Sequence, residues 1–102
     1  MAEVIVSKNA DADLDRLVEF LIEQEPIAAL ATYDLLLGAL EVLRTYPSIG
    51  RPVDDGLREL VISRGSTGYL ALYEYDVSAD HVVILAFRHQ RETGHVDRDA
   101  TD

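Results

Sequence analysis

The 102-residue sequence contains no cysteine and only one lysine, Lys8, so that arginines supply almost all of its nine cationic side chains. The absence of cysteine excludes disulfides and thiolate metal sites, and it fits a reducing cytosol. The sequence also shows no apolar run that approaches membrane-spanning length and no basic amino-terminal region followed by an apolar one. We therefore expect a cytoplasmic protein without a membrane partner.

Positive charge is scarce, because 19 acidic residues outnumber the nine basic ones and give a formal net charge of −10. Such a surface opposes contact with phosphates, so direct sequence-specific binding of nucleic acid is not expected. A basic partner, or one that covers apolar surface, is favoured instead. The length and the 48% apolar content predict one domain with one core over residues 1–96, followed by a frayed acidic tail at residues 97–102.

Two strand-like runs dominate the second half of the chain. Tyr69 to Val77 alternates aromatic and branched residues, and its tyrosines at period two are expected to share the sheet face beneath the helices. Val82 to Phe87 is continuously apolar, which is typical of a strand near the sheet centre that is covered on both faces. The short segment 78–80 between the runs predicts an antiparallel hairpin.

Two helices are predicted in the first half. Asp11 to Gln24 has one apolar stripe at helical spacing, and Ser7, Lys8 and Asn9 precede it as capping residues. Pro26 starts a second helix from about Ile27 to Tyr46, which is apolar almost all round and so needs cover on more than one side.

Further strands are predicted at residues 3–7 and 57–64, with loops at 47–52 and 65–68. The order is β-α-α-β-β-β. This order predicts an α+β fold in which a helical hairpin packs on one face of a four-stranded, mainly antiparallel sheet, with the first strand beside the last.

The ordered series of motifs resembles the ParE/RelE superfamily of toxins, and more specifically the ParE branch of plasmid stabilisation proteins. The motifs are Asp13-Leu14, the segment Pro47 to Pro52, Leu57 to Leu60, Gly68-Tyr69, Tyr73-Glu74, and Val83 to Leu85 leading to Arg88-His89.

The resemblance implies a toxin of a type II toxin–antitoxin pair, neutralised by a cognate ParD-like antitoxin. The helical hairpin and the sheet edge are expected to bind the antitoxin. Basic antitoxin residues are expected to face Glu19, Glu23 and Asp34. The antitoxin-binding residues expected on the two helices are Leu14, Val18, Leu21, Tyr33, Leu36, Leu37 and Leu40.

Two targets are open. The ParE branch is associated with poisoning DNA gyrase, and on this reading the chain acts by binding, with Arg88, His89 and Arg91 facing the target. The RelE branch cuts messenger RNA in the ribosome, which requires a base, an acid and cations that hold the phosphate. The candidates for that chemistry are Arg58, Arg64, Arg88 and His89, with Glu59 or His95 for proton transfer.

Neither a metal nor another cofactor is expected. The three histidines His81, His89 and His95 match no compact ligand spacing. The acidity, and a histidine at position 95 where the family pattern has tyrosine, leave open a third interpretation, a binding module that has lost toxicity.

Overall fold

The computed structural model describes residues 1–64 and 67–90, and for Ser63, Arg64 and Thr67 it describes the backbone alone. A short 3₁₀ turn (Asp54–Gly56) precedes the third strand. The other elements in chain order are β1 (Glu3–Val6), α1 (Lys8–Gln24), α2 (Pro26–Thr45), β2 (Arg51–Pro52), β3 (Arg58–Arg64), β4 (Thr67–Asp76) and β5 (His81–His89).

The strands form one sheet in the order β1-β5-β4-β3-β2. β1 runs parallel to β5, and every other neighbouring pair is antiparallel. The predicted α+β architecture, with the first strand beside the last, is confirmed. The sheet has five strands rather than four, because Arg51 and Pro52 in the predicted loop pair with Glu59 and Arg58. A proline is accepted there because β2 is an edge strand.

The first helix begins three residues before the predicted Asp11, and the second begins at Pro26. The Ser7 hydroxyl accepts a hydrogen bond from the Ala10 amide at 3.1 Å, so α1 starts at Lys8 rather than at Asp11. Pro26 occupies the first turn of α2, where its missing N–H costs no hydrogen bond.

α2 is 20 residues long with a mean hydropathy of 1.5, so by length and composition alone it could cross a membrane. The expectation that no apolar run approaches that length is therefore wrong. In this fold α2 packs against α1, β3 and β1. One line of its residues enters the core, namely Ala29, Thr32, Leu36, Ala39 and Leu43.

The core lies between the helices and one face of the sheet. Tyr69 and Tyr73 are buried on that face, as predicted, and Tyr75 is half-buried beside them. β5 differs from the prediction, because its buried and half-buried residues alternate. Val82 and Ile84 lie under the helices, and Val83 between them lies on the opposite face, which the helices leave open. The continuous apolar run therefore does not mean cover on both faces.

Candidate functional site

An apolar groove runs between α2 and the edge of the sheet. Its volume is about 430 Å³. Asp34 supplies the one charged side chain among the described residues that line it. The helix wall consists of Asp34, Leu35, Gly38, Ala39 and Val42, and the sheet wall consists of Leu60, Val61 and Ile62.

The sheet wall of this groove is an unprotected strand edge. β2 pairs only with Arg58 and Glu59, and the Leu57 carbonyl faces the same side, where it accepts from Val53. By the two-residue alternation of antiparallel strands, the backbone N–H and C=O of Val61 also face this edge. No strand in the described part of the chain pairs with them, and Val61 is 51% exposed. Uncovered edges of this kind invite pairing with another strand.

Gly38 leaves the helix wall of the groove without a side chain at its position. A Cβ added to Gly38 would meet no atom within 4 Å. The position is therefore open space beside the groove, and a partner backbone has room to approach α2 closely.

The seven predicted antitoxin-binding residues separate into three groups by exposure. Leu14, Leu21 and Leu36 are buried in the core, where they hold the helices on the sheet. Tyr33 and Leu37 are exposed, each at 38%. Val18 and Leu40 are partly buried at the margin of the core. Exposed apolar surface continues along the hairpin through Phe20, Ile22, Ile27 and Leu30.

The face of the sheet opposite the helices holds a second depression of about 200 Å³. Glu59 bonds there to Arg51 of the edge strand, with 2.5 Å between Arg51 Nη2 and Glu59 Oε1. Neighbouring strands supply the lining residues Glu59, Leu70, Leu72, Ala86 and Arg88. This open face therefore carries both signs of charge.

Of the four residues predicted for RNA chemistry, the three whose side chains the structure describes are not gathered into one site, although Glu59, predicted for proton transfer, lines the same depression as Arg88. The Arg58 guanidinium donates to the carbonyls of Ser48 and Gly50 at 3.1 and 2.7 Å, so it fixes a loop. The His89 ring packs edge-on against Tyr69 on the helix side, with centroids 5.2 Å apart, whereas Arg88 lines the open face. The Arg64 side chain lies outside the described residues, as do Arg91 and His95.

Tyr73 anchors the loop between α2 and β2, a role that the sequence pattern did not indicate. Its hydroxyl donates to the Pro47 carbonyl at 2.7 Å and accepts from the Gly50 amide at 2.8 Å. Burial raises the pKa of the Tyr73 phenol above its ordinary value, although the Gly50 hydrogen bond and the Arg58 charge act in the opposite direction. The neutral hydroxyl is thus the form that this fold selects.

The beginning of α1 touches the end of β5 through polar side chains. Asn9 Nδ2 donates to the Leu85 carbonyl at 2.9 Å. Asp13 Oδ2 accepts from the Phe87 amide at 3.1 Å. In the sequence Asp13 stood out only as part of the Asp13-Leu14 motif, because a contact across 74 positions leaves no local pattern.

Among the described residues, no group of three or more histidine, aspartate or glutamate side chains is placed to hold a metal ion. His81 Nε2 lies 3.1 Å from Glu3 Oε1 and joins β5 to β1 at the surface.

Comparison with known proteins agrees with the fold. A family model described as the ParE toxin of type II toxin–antitoxin system, parDE, matches residues 4–94. Toxin RelE3 of Caulobacter vibrioides is 36% identical over 92 residues, which are 90% of this chain and 98% of that toxin. Toxin RelE1 of the same organism is 39% identical over 79 residues, which are 78% of this chain and 85% of that toxin.

Solved structures show the same architecture. The chromosomal ParDE TA system of P. aeruginosa aligns with a TM-score of 0.72 at 22% identity, covering 87% of this chain and 96% of that one. The toxin–antitoxin complex RelBE2 of Mycobacterium tuberculosis aligns with a TM-score of 0.55 at 26% identity, covering 86% of this chain and 96% of that one.

These matches define the class as small toxins with the ParE/RelE fold. The chain belongs to the ParE toxin family of type II toxin–antitoxin systems.

Proposed function

We propose that the chain inhibits DNA gyrase by binding it in the cytoplasm, and that a cognate ParD-like antitoxin neutralises it. The observation that carries this proposal is that Arg58, Arg88 and His89, three of the predicted catalytic residues, lie apart. Arg58 is committed to two loop carbonyls, and His89 packs on the helix side of the sheet while Arg88 lines the open face. A nuclease needs its base and its phosphate-holding cations around one point.

The charge of the open face supports the same proposal. Glu59 lies in the depression that Arg88 lines, and it already pairs with Arg51. A carboxylate there weakens the positive field that a ribosomal RNA partner would need, and the whole chain carries a net charge of −10. A protein target does not require a positive field of this kind. We assign Arg88 as the residue that contacts it.

The antitoxin is proposed to occupy the groove between α2 and β3. An extended segment could pair with the free backbone edge at Val61 and insert apolar side chains between Leu35 and Ile62. Asp34 at the rim favours a basic residue in that segment. The exposed residues Tyr33 and Leu37 extend this surface along α2, whereas the buried Leu14, Leu21 and Leu36 support it from within.

A ribosome-dependent endoribonuclease is the second candidate. The observation that favours it is the similarity to Toxin RelE3 and Toxin RelE1, whose names place them with RelE toxins. On this reading Arg88 would hold the phosphate on the open face.

Expression without antitoxin distinguishes the two candidates. Gyrase inhibition predicts loss of plasmid supercoiling and broken chromosomal DNA, with translated messages intact. A variant that combines Arg64→Ala and His89→Ala should retain this effect, because His89 packs against Tyr69 on the helix side instead of facing the target with Arg88 as first expected. Cleavage of translated messages that the same variant abolishes, with normal supercoiling, would establish the nuclease instead. Unimpaired growth would indicate a binding module without toxicity.

A further inference from the structure

The end of β5 continues past its neighbour strand. β1 stops at Val6, which pairs with Ile84, and the Ser7 amide makes the last backbone bond to the Ile84 carbonyl at 3.0 Å. Beyond that point the chain turns into α1. The outward-facing backbone groups of Leu85 and Phe87 have therefore lost their strand partner.

Side chains from the start of α1 replace that partner. Asn9 Nδ2 lies 2.9 Å from the Leu85 carbonyl, and the Ser7 hydroxyl lies 3.4 Å from the same oxygen. The Asp13 carboxylate accepts from the Phe87 amide at 3.1 Å. Hydrogen bonds to an ionised acceptor are among the stronger ones in proteins. The Asp13 side chain is only 19% exposed, so water competes weakly for it.

The same place on β5 contains a bulge. Leu72 pairs with Ala86 and Tyr73 pairs with Ile84. Leu85 is therefore an extra residue that has no pairing partner on β4. An unbroken strand that buries Ile84 under the helices would point Ala86 and Arg88 to that side as well. The bulge instead buries Phe87 there and releases Arg88 to the open face. The position of Arg88 therefore depends on this one inserted residue.

We infer that Asn9 and Asp13 form a clamp on the β5 bulge whose function is to present Arg88 on the open face of the sheet. The clamp consists of the Asn9 amide on Leu85 O and the Asp13 carboxylate on Phe87 N. Asp13 is a positioning residue here, and this role rests on the proposed function, in which Arg88 contacts the target. The clamp lies away from the α2–β3 groove, so it acts on the target and leaves the antitoxin site intact.

The test compares Asp13→Ala, which removes the acceptor, with Asp13→Asn, which keeps an acceptor oxygen. Asp15→Ala is the matched control, because it removes a carboxylate from the exposed side of the same helix. The hydrogen-exchange rate of the Phe87 amide measures directly whether its bond to Asp13 is present. Asp13→Ala should accelerate it about tenfold or more, the expected consequence of losing a charge-assisted bond. Asp13→Asn should accelerate it less, because a neutral acceptor oxygen remains, and Asp15→Ala should leave it near the original rate.

Growth inhibition in cells measures whether Arg88 still contacts the target when the clamp is removed. Asp13→Ala should lose as much toxicity as Arg88→Ala, and combining them should cause no further loss, because one acts through the other. Antitoxin affinity should be unchanged in both. Unaltered Phe87 exchange would overturn the inference, as would additive losses or an equal fall in antitoxin affinity.

Misfolding of Asp13→Ala and a lack of toxicity in the unaltered chain have different consequences for the inference. If Asp13→Ala fails to fold, Asp13→Asn replaces it, and a Phe87 exchange rate equal to that of the original chain in this variant also overturns the clamp. If the unaltered chain is not toxic, the proposed function fails. The amide exchange measurements then still decide whether the clamp exists.

Discussion

The ring of Tyr73 occupies the space beside Gly50 in which any other residue would place its Cβ. An added Cβ would lie 2.6 Å from both Cε1 and the hydroxyl oxygen of Tyr73. Glycine is therefore required at position 50 by space, since its backbone does not adopt a positive φ. The contact joins the loop after α2 to the central strand of the sheet.

Gly50→Ala should destabilise the protein by about 1–3 kcal/mol, because the buried Tyr73 ring can move only by straining its neighbours. Chemical denaturation measures this change. Gly38→Ala is the matched control, since a Cβ at Gly38 meets no atom within 4 Å and alanine favours the helix. Equal stability of Gly50→Ala and the original chain would contradict the packing described here.

Tyr73→Phe should cost about 1–3 kcal/mol at neutral pH, because it leaves the Pro47 carbonyl and the Gly50 amide without their partner. The effect should depend on pH. The folded-state pKa of Tyr73 lies above its unfolded value of about 10, so the folded chain holds the proton more tightly. That stabilisation is fully present below pH of about 10 and is lost as pH rises through the folded pKa.

Thermal unfolding across alkaline pH measures this dependence. The original chain should lose more stability with rising pH than Tyr73→Phe does. Tyr75→Phe is compared with Tyr73→Phe, because the pKa of Tyr75 is also raised, but by a hydrogen bond to Asp80 at the surface. If the stability of the original chain and of Tyr73→Phe fell equally with rising pH, the raised folded-state pKa of Tyr73 would be contradicted.

Gly38→Leu should separate stability from antitoxin binding. The fold has open space at Gly38, and leucine is a better helix former by roughly 0.5–1 kcal/mol, so stability should not fall. The added side chain would stand in the α2–β3 groove and should weaken antitoxin binding at least about tenfold, as a clash at an interface centre does. Gly38→Ala should bind nearly normally. Calorimetric titration with the antitoxin measures both, and full affinity of Gly38→Leu would place the antitoxin elsewhere.

Replacing Glu19, Glu23 and Asp34 by lysine should weaken antitoxin binding, because these acids are exposed along the helical hairpin and face the expected basic residues. The loss should be larger at low salt and should fall as salt screens it. Replacing Asp15, Asp54 and Glu74, which are also exposed but are not among the acids assigned to the antitoxin, controls for net charge. Unchanged affinity of the hairpin variant at low salt would contradict the predicted charge pairing.

Local patterns made most of the fold predictable. The leucine stripe of α1, the Ser7 cap and Pro26 each act within a few residues, so their structural meaning is visible in the sequence. β2 was missed because two residues are too few to show a strand pattern. The face of β5 was misread because its open side is nearly as apolar as its buried side.

The candidate site was less predictable, because its geometry depends on long-range contacts. The bulge at Leu85 sets which of the neighbours Arg88 and His89 faces the open side of the sheet, and no local signal marks it. A helix as apolar as α2 likewise does not reveal which leucines face the core, so Leu36 and Leu37 looked equivalent. Their exposures are 1% and 38%.

The most direct test of the central claim is a titration of the purified chain into purified DNA gyrase during supercoiling of relaxed plasmid. The account predicts inhibition that the antitoxin reverses, and that Arg88→Ala weakens at least about tenfold, as loss of a central arginine contact does. Arg44→Ala, an exposed cation beside Glu41 on α2, should inhibit as the original chain does. Undiminished supercoiling at excess protein, together with cleavage of ribosome-bound messages by the same preparation, would contradict the account.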